Sequence, residues 1–147
     1  MENASKALMM AGGVLIGVLI ISLAVYLFAD FGSRSASINA QNTEKQLAAL
    51  NSKFTSYQDF KDKDGNWQIT IYNIITLKGY ATENNNNYED TEEKIDVKIG
   101  NSSTLGVEDT TLIQKYVGNN GELQKFECTD VKYNNRGKIK SISFKAI

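Results

Sequence analysis

Apolar residues fill the chain from Leu8 to Phe31 almost without interruption, and no charged residue occurs between Ala11 and Ala29. As a helix at about 1.5 Å per residue, these roughly 19 positions extend about 28 Å, close to the hydrocarbon thickness of a bilayer. A lone segment in lipid must satisfy its own backbone hydrogen bonds, so a helix is expected. The pattern predicts an apolar helix that lies in lipid or in an equally apolar assembly.

The pattern changes after Gly32 from uniformly apolar to amphipathic, and no proline or glycine interrupts residues 33–58. Apolar residues recur there at spacings that suit one face of a helix: Ile38, Leu47, Leu50, Phe54 and Tyr57. We predict a stem helix over residues 1–57, apolar over 8–31 and amphipathic over 33–57, followed by a globular head over 58–147. The residues expected to pack the stem against the head are Leu47, Leu50 and Phe54.

The first half of the head has the pattern of a helix, a strand and a second helix. Thr70 is a candidate cap for a helix over Ile71–Glu83, which the run Asn84–Asn87 ends in a loop. Lys94–Ile99 alternates between apolar and polar residues and predicts a half-buried strand. Asp109 or Thr110 is a candidate cap for a short helix over Thr111–Val117.

The second half of the head predicts a β-hairpin. Two β-prone runs, Leu123–Tyr133 and Lys138–Ile147, are joined by residues 134–137. In the first run, the apolar residues before Thr129 alternate toward one face of the strand, whereas those after Asp130 alternate toward the other. A bulge near Thr129 and Asp130 would bring both sets to the same face. The fold class is therefore α+β: a long N-terminal helix and a small head of about three strands that ends in a hairpin.

Composition excludes several kinds of site. The 147 residues include no histidine and one cysteine, Cys128, and their formal net charge is −1. An intramolecular disulfide, a metal site built on histidine or paired cysteines, and a Ser-His or Cys-His pair are therefore excluded. Cys128 lies in a predicted strand, where a buried apolar role is favoured over a reactive thiol. No cofactor, enzyme activity or nucleic-acid partner is implied.

The segment DFKDKDGNW resembles a calcium-binding loop at first sight, because Asp62 and Asp64 precede Gly65. With this glycine at the sixth loop position, however, Phe60 and Ile71 occupy the first and twelfth positions, which need acidic ligands. We therefore predict a solvated turn.

Opposite charges are concentrated in two segments of the head. Residues 83–96 contain six acids and one lysine, whereas residues 132–145 contain five basic residues and no acid. These segments form either ordinary solvated or paired surface within one head, or a contact between the heads of two subunits. The candidates for the contact between subunits are Glu92, Glu93, Lys138 and Lys140.

Gly13 and Gly17 form a GxxxG spacing within the apolar run. Two such glycines allow another helix to approach closely, although glycine is also common in membrane helices in general. Glu2 is placed to offset Lys6, four residues later, or the N-terminal amine of a neighbouring chain. The apolar run is longer than the core of a usual signal peptide, which favours a retained anchor over a cleaved signal.

A long N-terminal helix, first apolar and then amphipathic, followed by a small α+β head with a terminal hairpin, resembles a type IV pilin-like subunit. The resemblance covers the whole chain and is architectural. It implies a cell-surface filament whose apolar stems bundle in the core, formed from a membrane-embedded precursor by pilus assembly machinery. The partners implied are other copies of the chain, the membrane before assembly, and that machinery. Where such subunits usually place a glutamate, at the fifth residue, this chain has Ser5.

The sequence is also compatible with two alternatives, the first of which belongs to a different class of protein. One is a single-pass membrane-anchored protein with an extracytoplasmic head. The other is a minor pseudopilin of a secretion or conjugation system. A long stem and a small head are compatible with each of them.

Overall fold

The computed structural model describes residues 2–147 and contains one long and two short α-helices. Helix α1 spans Glu2–Thr55, α2 spans Ile71–Asn86, and α3 spans Asp109–Tyr116. The predicted long N-terminal helix is confirmed, and it ends two residues before the predicted position. The chain divides into two compact units, one ending at Lys45 and the other covering Gln46–Ile147. The last turns of α1 thus belong to the unit that contains the head.

Five strands form one mixed sheet in the head. Their bounds are Ile69–Thr70 for β1, Asp96–Ile99 for β2, Ser102–Ser103 for β3, Lys125–Tyr133 for β4 and Ile139–Ala146 for β5. The spatial order is β1-β4-β5-β2-β3. The pairing of β2 with β5 is parallel and the other three pairings are antiparallel. The prediction of about three strands missed β1 and β3, which have two residues each.

The predicted C-terminal hairpin is confirmed as the antiparallel pair β4–β5. The register between these strands shifts between Cys128 and Asp130, where the change of parity predicts a bulge. Gly137 turns the chain with a φ of 76°, a left-handed conformation that glycine adopts without the steric cost of a side chain. Ile142 and Phe144 are fully buried, as the alternation in the last strand predicts.

Helix α2 begins at Ile71 as predicted, but its cap bonds and its end differ from the prediction. Thr70 is the N-cap position, but Asn73 makes the cap: its Oδ1 accepts the Thr70 backbone N–H at 2.8 Å and the Thr70 hydroxyl at 3.0 Å. The predicted end at residue 83 is wrong, since the helix continues through Asn86. The amides of Asn84 and Asn85 bind the backbone of residues 93 and 95, which outweighs the preference of asparagine for loops.

The core of the head lies where α2, α3 and the end of α1 meet the sheet. Its fully buried side chains are aliphatic and aromatic. Phe54 is the buried residue of α1, and its ring meets that of Tyr80 edge to face at 6.5 Å. This contact ties the last turn of α1 to the head core.

Candidate assembly surface and charge cluster

The apolar part of α1 is covered by nothing in the chain itself. Its sixteen large apolar side chains between Leu8 and Phe31 are 55% to 79% exposed. The helix is long and apolar enough to cross a membrane, and none of its most apolar window is buried. By length and composition alone, a signal sequence near an N-terminus also meets this description. The surface needs an apolar environment, because water solvates such a face poorly.

The predicted helix-packing residues stand on the open surface of α1. A Cβ added at Gly13 or Gly17 would meet no atom within 4 Å, so these positions leave room for the backbone of a second helix. Glu2 and Lys6 are exposed one turn apart. The ion pairs within residues 2–147 do not include one between these two side chains.

Charged residues limit the apolar run at its C-terminal end. Arg34 Nε donates to Asp30 Oδ2 at 2.9 Å across one turn of α1, and both side chains remain substantially exposed. An exposed pair of this kind adds little to helix stability. Its position marks where the apolar surface of the stem ends.

The predicted stem–head residues differ in depth. Phe54 is fully buried, Leu50 packs against the core from its edge, and Leu47 is half-buried. A polar contact that the sequence did not reveal lies beside them. The Asn51 amide donates to the Gly137 carbonyl at 2.7 Å and accepts the Ile139 N–H at 2.9 Å. This amide holds the hairpin turn against α1 on two sides.

The four charges proposed for contact between subunits are paired within one head. Lys138 Nζ lies 3.2 Å from Glu93 Oε2, and Lys140 Nζ lies 2.7 Å from Glu92 Oε1. Arg136 adds a second cation at 2.8 Å from Glu93 Oε1. Of the two arrangements that the sequence left open, pairing within the head is the one observed here. Contact between subunits through the exposed Glu92 and Lys140 stays a prediction.

Lys138 and Glu93 form the centre of a buried polar cluster. Their residues are 5% and 9% exposed. Lys138 Nζ donates to the Glu93 backbone carbonyl at 2.8 Å and lies 3.9 Å from the centre of the Tyr88 ring. The same carbonyl accepts the amide Nδ2 of Asn84 at 2.9 Å, and Asn84 is itself buried. A lysine, a carboxylate and a primary amide therefore meet in one site with little access to water.

Cys128 is half-buried on β4, packed against the core edge rather than enclosed as predicted. It borders an open groove of about 520 Å³ whose lining includes Trp67, Lys61 and Asp130. Burial raises the pKa of the Cys128 thiol and outweighs the backbone hydrogen bond from Asp130, which lowers it. A raised pKa keeps the thiol protonated near neutral pH, which makes it a poor nucleophile.

Asp62 organises the turn that resembles a calcium loop. Its Oδ1 accepts the backbone N–H groups of Asp64 and Asn66 at 2.9 Å, and its Oδ2 accepts the amide of Gln68 at 2.9 Å. These hydrogen bonds, that from the Asn66 backbone first, lower the pKa of Asp62 below its usual 3.8. Within residues 2–147, no three potential ligands cluster as a metal site would require.

Comparison of the chain with protein-family models, with curated proteins and with solved structures finds no match. The exposed stem and the charges of the head therefore carry the functional argument.

Proposed function

We infer that this chain is the structural subunit of an extracellular, pilus-like filament that assembles by packing its apolar N-terminal helices in the filament core. The observation that carries the proposal is the exposed apolar surface of α1 between Leu8 and Phe31. At about 1.5–3 kcal/mol for each large side chain, covering sixteen of them is worth a few tens of kcal/mol. The stem must therefore exist in lipid or against other stems.

Transfer of the stem from lipid to a bundle of stems costs little hydrophobic energy, because both surroundings are apolar. Gly13 and Gly17 allow two stem backbones to approach closely. The dispersion contacts between the two helices are then better than those between a helix and lipid chains, which favours the bundle. The same contact repeated by a symmetry operation that does not close produces a filament. The apolar surface and the open glycine patch of the stem favour self-assembly and a membrane-embedded precursor. Handling by pilus assembly machinery follows from the resemblance alone.

The test begins with cells that produce the chain. Surface material is sheared off, pelleted and examined by negative-stain electron microscopy, with mass spectrometry to identify the subunit and its N-terminus. We expect filaments composed mainly of this chain. If the chain stays in the detergent-soluble membrane fraction as a monomer, the filament proposal is wrong.

A matched pair of variants tests the packing surface. Gly13→Leu with Gly17→Leu fills the open patch, whereas Gly12→Leu makes the same change about 100° around the helix. Both variants keep the stem apolar, so membrane insertion is expected in each case. We expect the double variant to abolish filaments and the single variant to retain them. Filaments formed equally well by all variants would exclude this patch as the packing site.

The second candidate is a single-pass protein that anchors its head at a membrane. The charged residues at the two ends of the apolar run favour it: Lys6 precedes the run, and the Asp30–Arg34 pair follows it. Such charges suit both a permanent anchor and a stem that waits in the membrane. The minor-pseudopilin alternative would appear in the same experiment as filaments that contain only traces of this chain.

A further inference from the structure

We propose that Lys138 and Asn84 form an intramolecular isopeptide bond, with Glu93 as the acid–base group. The proposal concerns the head alone and holds whether or not the chain forms filaments. It rests on the buried cluster in which the Lys138 amine and the Asn84 amide nitrogen donate to one carbonyl oxygen, that of Glu93, at 2.8 Å and 2.9 Å.

The three groups have complementary chemistry. A lysine amine is a nucleophile once it has lost a proton, and a primary amide can be attacked at its carbonyl carbon with ammonia as the leaving group. Glu93 Oε2 lies 3.2 Å from Lys138 Nζ, within reach for proton transfer. The site is enclosed, so water competes poorly with the amine for the amide carbon.

The backbone on both sides of the reaction is fixed. Asn51 binds the carbonyl of Gly137 and the N–H of Ile139, which clamps the residues that flank Lys138. On the opposite side, Asn84 lies in the last turn of α2, and the neighbouring Asn85 exchanges two hydrogen bonds with the backbone of residue 95. Because rigid elements already hold the two reacting groups close together, the reaction needs only a short side-chain movement, which lowers the entropic part of its barrier.

The reaction balances without an oxidant or another reactant. The Lys138 ammonium gives one proton to the Glu93 carboxylate, and the freed Nζ lone pair attacks Cγ of Asn84. The negative charge passes to Oδ1 of the tetrahedral intermediate. As the Cγ–Nδ2 bond breaks, Nδ2 takes one proton from Glu93 and one from Nζ and leaves as ammonium, and Glu93 is again a carboxylate. The product is an amide between Nζ and Cγ.

The consequence is a covalent tie between α2 and the start of β5. The chain has one cysteine, so it cannot form a disulfide within itself. An amide between residues 84 and 138 would close a long loop and restrict the unfolded chain as a disulfide does. Unlike a disulfide, it would be insensitive to reductants.

Peptide mapping of the purified full-length chain in detergent is the decisive experiment. Without the bond, trypsin releases residues 79–94 as one peptide and cleaves after Lys138. With it, Lys138 is acylated and resists trypsin. We therefore expect one branched product in which residues 79–94 are joined to residues 137–140, lighter than the sum of the two peptides by one ammonia. A succinimide at an asparagine also loses ammonia, but it leaves the two peptides separate.

Variants with matched controls identify the reacting groups. Lys138→Met, Asn84→Ala and Glu93→Gln each should restore the full mass and release residues 79–94 unlinked. Asn87→Ala, the same change at an exposed position, should keep the branched product. Lys140→Met should also keep the link, with residues 79–94 joined to residues 137–145, because trypsin no longer cleaves after residue 140. Circular dichroism shows which variants fold. The peptide map of the wild-type chain tests the bond directly, even if a variant does not fold. Unlinked peptides alone from the folded wild-type chain would overturn the proposal.

Discussion

Replacement of Phe54 by alanine is expected to weaken the head strongly although it lies on the stem helix. Phe54 is fully buried, and its ring meets Tyr80 at 6.5 Å. Loss of a buried phenylalanine side chain costs about 3–5 kcal/mol, from lost burial and from the cavity that remains. A domain of this size has a total stability of about 5–15 kcal/mol, so the variant loses a large fraction of it.

The assay is urea unfolding in a non-ionic detergent, followed by the fluorescence of Trp67, the single tryptophan of the chain. Trp67 packs against the edge of the head core and should report its unfolding. With a urea dependence of about 1–3 kcal/mol per molar, we expect the midpoint to fall by about 2 M. Phe54→Leu keeps most of the volume and should cost less than about 1.5 kcal/mol.

The control is Phe31→Ala, the same chemical change at an exposed position of the stem. Phe31 is 74% exposed and lies in the unit that ends at Lys45, so the unfolding of the head should be unaffected. If Phe54→Ala unfolds within about 0.5 kcal/mol of this control, Phe54 does not anchor α1 in the core.

Three further predictions follow from polar groups of the head. Asn51→Ala should lower the free energy of unfolding by about 1–3 kcal/mol, because two backbone partners lose their hydrogen bonds; the exposed Asn42→Ala, in the same urea assay, should have almost no effect. NMR titration of the carboxyl groups should give Asp62 a midpoint below 3.8. The stabilisation of the turn by the Asp62 carboxylate is then fully present above pH 3.8 and is lost as the pH falls through the lowered pKa. A midpoint at or above 3.8 would contradict the observed hydrogen bonds. Alkylation of Cys128 should reach half its maximal rate at a higher pH than alkylation of a free cysteine, because the pKa of the buried thiol is raised. The stability that the protonated thiol contributes to the fold is lost as the pH rises through this raised pKa. A midpoint near 8.5 or lower would exclude burial as the dominant influence on the pKa.

The elements that the sequence predicts correctly are those with a long or unambiguous pattern. The long apolar run of α1 is compatible with a helix and with no other secondary structure. The alternation of apolar and polar residues in β5 identifies Ile142 and Phe144 as core residues. The bulge in β4 is predictable because the side-chain period of a strand is two. The apolar residues before and after Thr129 cannot face the same side without an extra residue.

The elements that it misses depend on contacts between distant residues. Strands β1 and β3 have two residues each, too few for any alternation to be visible. Asn84 prefers loops by itself, and its bond to the backbone of Glu93 favours the helical position that it takes. The runs of opposite charge were visible, but the burial of Lys138 against Glu93 depends on a contact across 45 positions.

The position of β5 in the sheet means that the sheet can be completed only at the end of synthesis. Strand β5 comes after the other four along the chain, yet it lies between β4 and β2 and joins them. A ribosome releases α1 long before residues 139–146 exist, so the stem can enter a membrane while the sheet still lacks its centre. Translation that stops before residue 139 would leave β2 and β4 with bare edges, which are prone to pair with other chains. Such a truncated product would carry an intact apolar helix and a head that aggregates.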